Sequence, residues 1–222
     1  MGFVHQMTDS VRDIWNSYLE HPFIREMSDG TLPENKMKWY IIEDSLYLRE
    51  YVKACAVGIL KAKNIKDMAH FNSMIAGIVQ GEYALRDNYL ARAGIDKNAW
   101  EHIPLSKENR DYTNYIMKTT LDGGLPELLA ATLPCMLSYY YIGTQLVERD
   151  PRCLERRYGE LIADYTSDIC REMCQVSSDY MDTLCEGLDK QHKQKLMVIY
   201  REASIYEMGF WDMVYQNRTY GN

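Results

Sequence analysis

The chain has 222 residues, 46% of them hydrophobic, and a formal net charge of −7. That length suits one large domain or two small ones, and the acidic balance without any basic run argues against a nucleic-acid backbone as partner. The first residues, MGFVHQMTDSVRDIW, carry charges in their first turns and lack the Ser or Thr at the sixth position that a myristoylation signal needs. No apolar stretch reaches the roughly 18 residues of a membrane span, so a cytoplasmic protein is expected.

Apolar residues recur at three- and four-residue spacing almost throughout, without strand-like alternation, so the fold class expected is all-α. The pattern predicts helices near 4–20, 34–63, 66–93, 107–121, 126–149, 151–186 and 189–217, with a loop over 94–106. Pro33, Pro126 and Pro151 read as first-turn prolines, the last behind Asp150 as N-cap. No Pro/Gly/Ser-rich linker divides the chain, so a single domain over 1–222 is expected, with a frayed tail at 217–222. Six cysteines without an export signal read as reduced thiols. Cys170 and Cys174, four apart but without a second pair or a nearby His, do not make a zinc site. The five histidines are scattered, so no metal is expected.

Three segments place one reactive group and one ring on a shared helix face. In LLAATLPCMLSYYYIG, Cys135 follows a proline inside a helix, and Tyr139 lies one turn on. Pro134 supplies no N–H and pushes away the carbonyl of Ala130, so a local opening is expected there. In WYIIEDSLYLREY, Asp44 precedes Tyr47 by three; in REASIYEMGFWDMVY, Glu207 precedes Phe210 by three. Plainer readings stand beside these. Cys135 can be a small buried hydrophobe, Asp44 can pair with an arginine such as Arg49, and Glu207 can share a solvated face with Glu202. Together, a thiol, two carboxylates and several aromatics suit a site for a flat heterocycle, with one carboxylate binding an amidine-like edge, the thiolate attacking, and the second carboxylate moving protons.

Four segments, HPFIREMSDGTLP at 21–33, YIIEDSLYLREY at 40–51, LPCMLSYYYIG at 133–143 and SIYEMGFWDMVY at 204–215, in this order and spacing resemble the TenA family of aminopyrimidine aminohydrolases, also called thiaminase II. The resemblance runs from about residue 8 to residue 217. It implies a haem-oxygenase-like helical bundle, a homotetramer, and hydrolysis of 4-amino-5-aminomethyl-2-methylpyrimidine to the hydroxymethyl pyrimidine in thiamin salvage, with cleavage of thiamin as companion activity. By the same resemblance Cys135 is the nucleophile, Asp44 grips the ring nitrogen and exocyclic amine, and Glu207 is the general acid/base. Tyr47, Tyr112, Tyr139 and Tyr165 match site tyrosines, and Phe210 a pocket wall. Leu137-Ser138 stands where the family usually has Trp-Gly, and Leu161 where a tryptophan is common, which bears on substrate preference more than on chemistry.

The chemistry so implied needs no metal or organic cofactor. A thiol with a pKa of about 8.5 is mostly protonated at neutral pH, so it needs a proton acceptor beside it. Two other readings belong to different classes. A haem-oxygenase-like oxidase using iron or a quinone precursor needs converging His and carboxylate ligands, and metal analysis of the purified protein discriminates it. A non-catalytic regulator sharing the fold has no use for Cys135, Asp44 and Glu207 together.

Overall fold

The computed structural model describes residues 2–216, which are helical with short connections. No strand occurs among the described residues, and none of their helices is long and apolar enough to cross a membrane. The tail at 217–222 expected to fray lies outside the described residues.

The single helix expected over 4–20 is two. α1 (Phe3–Ser10) ends at Val11, whose φ of −119° and ψ of 13° leave the helical region, and α2 (Arg12–Glu20) follows. α3 (Pro22–Asp29) was not anticipated, although its signals are local. His21 caps it by accepting from the Phe23 N–H at 3.1 Å, Pro22 takes the first turn, and Gly30 closes it at φ 74°. α4 (Glu34–Lys61) begins one residue after Pro33, which is its N-cap rather than a first-turn residue. The stretch expected as one helix over 66–93 is α5 (Ile65–Gly77), a five-residue π-helix (Ile78–Glu82) and α6 (Tyr83–Arg92).

The loop over 94–106 holds one helical turn, α7 (Lys97–Trp100). α8 (Lys107–Asp122) and α9 (Leu125–Arg149) then appear as expected, α9 continuing as helix through Pro134. The expected helix over 151–186 divides into a 3₁₀ turn (Pro151–Glu155), α10 (Gly159–Tyr165) and α11 (Asp168–Cys185). Asp150 and Ser167 open the first and third of these by accepting from the Arg152 and Cys170 N–H groups, while Tyr158 and Thr166 leave helical geometry on either side of α10. α12 (Lys190–Gln216) completes the described chain, and all six cysteines are free thiols.

Two compact units divide the residues: Met1–Leu32 with Leu129–Trp211, and Pro33–Leu128 with Asp212–Asn222. In the first, α1 packs on α2 and α11, and α2 on α3. Its ends are drawn together across the sequence. The Val4 N–H donates to Asp182 Oδ1 at 2.8 Å, and the Tyr158 hydroxyl donates to the Leu32 carbonyl at 2.7 Å. In the second, α4 is the hub against which α5, α6 and α8 pack. Lys61, at the end of α4, donates to the carbonyls of Leu121 and Gly123 at 2.7 and 2.6 Å and so caps the C-terminus of α8.

Gly143 on α9 sets how closely α10 approaches. A Cβ there would lie 2.8 Å from Tyr165 Cβ and 2.9 Å from Thr166 Cγ2. Gly143→Ala is therefore expected to lower the unfolding free energy by up to about 2 kcal/mol, because the overpacking costs about 1–3 kcal/mol against the ~1 kcal/mol that alanine gains in a helix. Urea denaturation checks this, and an equal or raised midpoint would show that α10 yields freely.

Candidate active site

The second unit carries three of the residues singled out from sequence. On α4 the run from Trp39 to Leu48 is buried on every face, polar positions included. Asp44 sits within it and pairs with Arg86 of α6, whose Nε donates to Asp44 Oδ2 at 2.7 Å; Arg86 is 1% exposed. Arg49, the partner considered from sequence, instead meets Glu50 at 3.1 Å and the Glu101 carbonyl at 3.1 Å. The Asp44–Arg86 pair satisfies a buried carboxylate with a buried guanidinium, which holds an ionised acceptor at this position. One turn on from Asp44, the Tyr47 ring stacks on Tyr112 of α8 at 5.2 Å between centroids and 29° between planes. Asp44, Tyr47 and Tyr112 are thus brought together on α4 and α8.

The first unit carries the other five. Cys135 is half-buried on α9, and Tyr139, one turn on, meets Tyr165 of α10 edge-on at 5.0 Å and Trp211 of α12 at 5.2 Å. Phe210 lies against Trp211 at 6.4 Å. Glu207 on α12 is buried, whereas Glu202 is exposed, so the shared solvated face considered from sequence does not exist. Of the positions departing from the TenA pattern, Ser138 donates its hydroxyl to the Cys135 carbonyl at 3.3 Å, and Leu161 is buried in α10.

Three residues that sequence reasoning passed over belong to these groupings. Arg86 is one. Glu43 is another: 0% exposed, it accepts from the N–H and hydroxyl of Ser106 and from Asn109 Nδ2 at 2.7 Å, and burial raises its pKa above the ordinary carboxylate value. The third is Tyr18 of α2, whose hydroxyl donates to the Ser204 carbonyl of α12, while Trp15 Nε1 donates to Ser204 Oγ at 3.3 Å. Burial pushes the Tyr18 hydroxyl well above its usual pKa, and the charges of Glu207 and Cys135 push the same way. Tyr18 therefore remains a protonated donor. The available signal is the helical spacing of Ile14, Trp15, Tyr18 and Leu19 in IWNSYL, which reads as ordinary core.

No group of three His, Cys, Asp or Glu side chains able to hold a metal ion occurs among the described residues.

The helical fold thus carries a half-buried thiol and a buried glutamate in one unit, and a buried aspartate with stacked tyrosines in the other. The family model for the TENA/THI-4/PQQC family matches residues 8–217, and the chain belongs to that family. An aminopyrimidine aminohydrolase from Halalkalibacterium halodurans is 32% identical over 220 residues, covering 99% of this chain and 98% of its own, and such full-length relatives make the chain a hydrolase. Among solved structures, a TenA family transcription regulator from a Silicibacter species superposes with a TM-score of 0.87 at 24% identity, covering 96% of each chain. Haem oxygenase from Leptospira interrogans superposes with a TM-score of 0.61 at 14% identity, covering 95% of this chain and 98% of its own. These two show the fold, which is the haem-oxygenase-like one expected.

Removing the buried cation tests the pairing. Arg86→Met is expected to cost about 3–5 kcal/mol of stability by leaving Asp44 buried without its partner. The double variant Arg86→Met/Asp44→Asn should recover most of that loss in urea denaturation. A loss below about 1 kcal/mol in the single variant would show that Asp44 does not depend on Arg86.

Proposed function

We propose that the chain is an aminopyrimidine aminohydrolase that converts 4-amino-5-aminomethyl-2-methylpyrimidine and water into the hydroxymethyl pyrimidine and ammonia, and cleaves thiamin at the same methylene. The observation that carries the reading is a buried carboxylate, Glu207, and a half-buried free thiol, Cys135, within the same compact unit. A buried glutamate has no packing reason of its own, whereas nucleophilic catalysis at neutral pH requires a proton acceptor for the thiol. The name and full-length similarity of the Halalkalibacterium relative support the substrate class.

In this reading Asp44, kept ionised by Arg86, accepts hydrogen bonds from the amidine edge of the pyrimidine, while Tyr47 and Tyr112 offer ring faces to it. Cys135 gives its proton to Glu207, and the thiolate adds to the electron-poor ring carbon. The electron pair displaced into the ring then expels the methylene substituent, as ammonia once protonated, or as the thiazole of thiamin. Water adds to the exocyclic alkene left behind, giving up its proton, and departure of the thiolate restores the aromatic ring. Bonds and protons balance with water as the only co-reactant, so no cofactor enters. Tyr139, Tyr165 and Phe210 serve as walls for the substrate. The protein acts in the cytoplasm as a homotetramer, and light scattering on the purified chain tests the assembly.

Two substitutions test the chemistry. Cys135→Ala is expected to reduce ammonia release from the aminomethyl pyrimidine to background while calorimetry still detects binding of the hydroxymethyl product. Near-normal turnover would remove Cys135 from the mechanism. Glu207→Gln keeps shape and one hydrogen bond but cannot carry a proton, so kcat should fall by ~10²–10⁴ with little change in product affinity. Its acid-side pH limb should change as well. A wild-type pH profile would move the proton-transfer role elsewhere.

A further inference from the structure

Glu43 is a buried carboxylate that the proposed chemistry does not use. It neighbours Asp44 in sequence and lies 0% exposed in the fully enclosed part of α4. All its partners come from the start of α8. Ser106, the N-cap residue, donates both its N–H, at 3.3 Å, and its hydroxyl to Oε1. Asn109 donates Nδ2 to Oε2 at 2.7 Å and to the Glu43 backbone carbonyl at 2.8 Å. The ion pairs of this region go elsewhere, Arg86 to Asp44 and Lys107 to Asp111. Holding a carboxylate here on neutral donors alone is costly, as the burial-driven rise in its pKa shows. A leucine would fill a helix–helix seam at lower cost, so four directed hydrogen bonds are useful only where register matters.

The spacing indicates which register is being held. Glu43 lies four residues before Tyr47 on α4, and Asn109 lies three before Tyr112 on α8. Each clamp residue therefore sits one turn from a stacking residue on the same helix face. A slip of α8 along α4 by one residue would rotate Tyr112 by about 100° and break its stack with Tyr47. We propose that the Glu43–Ser106–Asn109 clamp is the positioning device for the tyrosine pair that receives the pyrimidine. This rests on the reading of Tyr47 and Tyr112 as substrate residues. Glu43 touches no substrate and acts through Tyr112.

The test separates the geometric claim from the functional one. In protein labelled with 3-fluorotyrosine, the ¹⁹F resonance of Tyr112 is assigned through Tyr112→Phe. Asn109→Ala and Glu43→Ala should move that resonance, while Glu43→Gln should leave it near its wild-type position. Gln can keep its carbonyl oxygen as the acceptor for Asn109 Nδ2 and donate its amide to the Ser106 hydroxyl, which accepts as well as donates, so that only the long Ser106 N–H bond is given up. By calorimetry, Asn109→Ala should weaken binding of the hydroxymethyl pyrimidine at least tenfold, and Glu43→Gln by less than about threefold. In Asn109→Ala the loss should fall mainly on KM, with kcat for ammonia release within a few-fold. A clamp that served stability alone would lower the midpoint of thermal unfolding but leave the Tyr112 resonance and the affinity of the folded variants unchanged, and that result would overturn the proposal. Should Glu43→Ala fail to fold, Ser106→Ala removes one hydroxyl donor and is expected to give a smaller shift in the same direction. If the wild-type protein bound no pyrimidine, the functional reading would fall, and the ¹⁹F shifts would still decide whether the clamp sets the Tyr47–Tyr112 stack.

Discussion

A helix segment with no solvent-facing side obliges every polar group on it to find a partner inside the protein. α4 imposes that constraint from Trp39 to Leu48, because two carboxylates, Glu43 and Asp44, fall within three turns that are enclosed all round. Much of the second unit follows from it. Arg86 must come from α6 to neutralise Asp44, and Ser106 and Asn109 must come from the start of α8 to satisfy Glu43. The two acids receive different treatment. Asp44 meets a full positive charge and is held ionised, as suits a residue that must accept hydrogen bonds. Glu43 meets only neutral donors, as suits one that fastens a helix.

The first unit solves a related problem with different means. Cys135 and Glu207 lie on α9 and α12, and α2 ties to α12 through Ser204, which takes the Tyr18 hydroxyl on its carbonyl and the Trp15 indole on its side chain. Ser204 lies three residues before Glu207, so these bonds fix the turn of α12 from which Glu207 projects. The rings around Tyr139 do the corresponding work for α9, where Tyr165 and Trp211 pack against it. Gly143 permits that arrangement by letting the α10 backbone come close.

What could be read from the sequence follows the range of the forces involved. Helix content, the prolines near helix starts and the apolar setting of Asp44 and Glu207 are local properties of short windows, and they were legible. The breaks at Val11 and Thr166 were not, because no proline or glycine announces them and the apolar spacing runs on across each; the break at Tyr158 has Gly159 beside it and was passed over. Arg86 stayed hidden for a related reason. In EYALRDNYLAR it sits among Glu82 and Asp87 and reads as part of a solvated face, and the π-helix at Ile78–Glu82 shifts the helical phase just before it. Glu43 was masked by the more conspicuous Asp44 beside it. Tyr18 could not be found at all without knowing that α2 packs on α12, since its partner Ser204 is 186 residues away.

That separation also shapes how the protein comes into being. The hydrogen bonds of Asp44 to Arg86 and of Glu43 to Ser106 and Asn109 join residues 42 to 66 apart, and they can close while the chain is still being synthesised. The first unit cannot do so. At about 5–20 residues per second, α2 waits roughly 10–40 s for Ser204 to be made. Over that interval Tyr18 and Phe23 lack their native partners on α12, Ser204 and Trp211. The nascent N-terminus is thus an amphipathic helical segment with part of its apolar side uncovered, the kind of chain that holding chaperones engage, and the order of synthesis makes the first unit slow to become safe from aggregation.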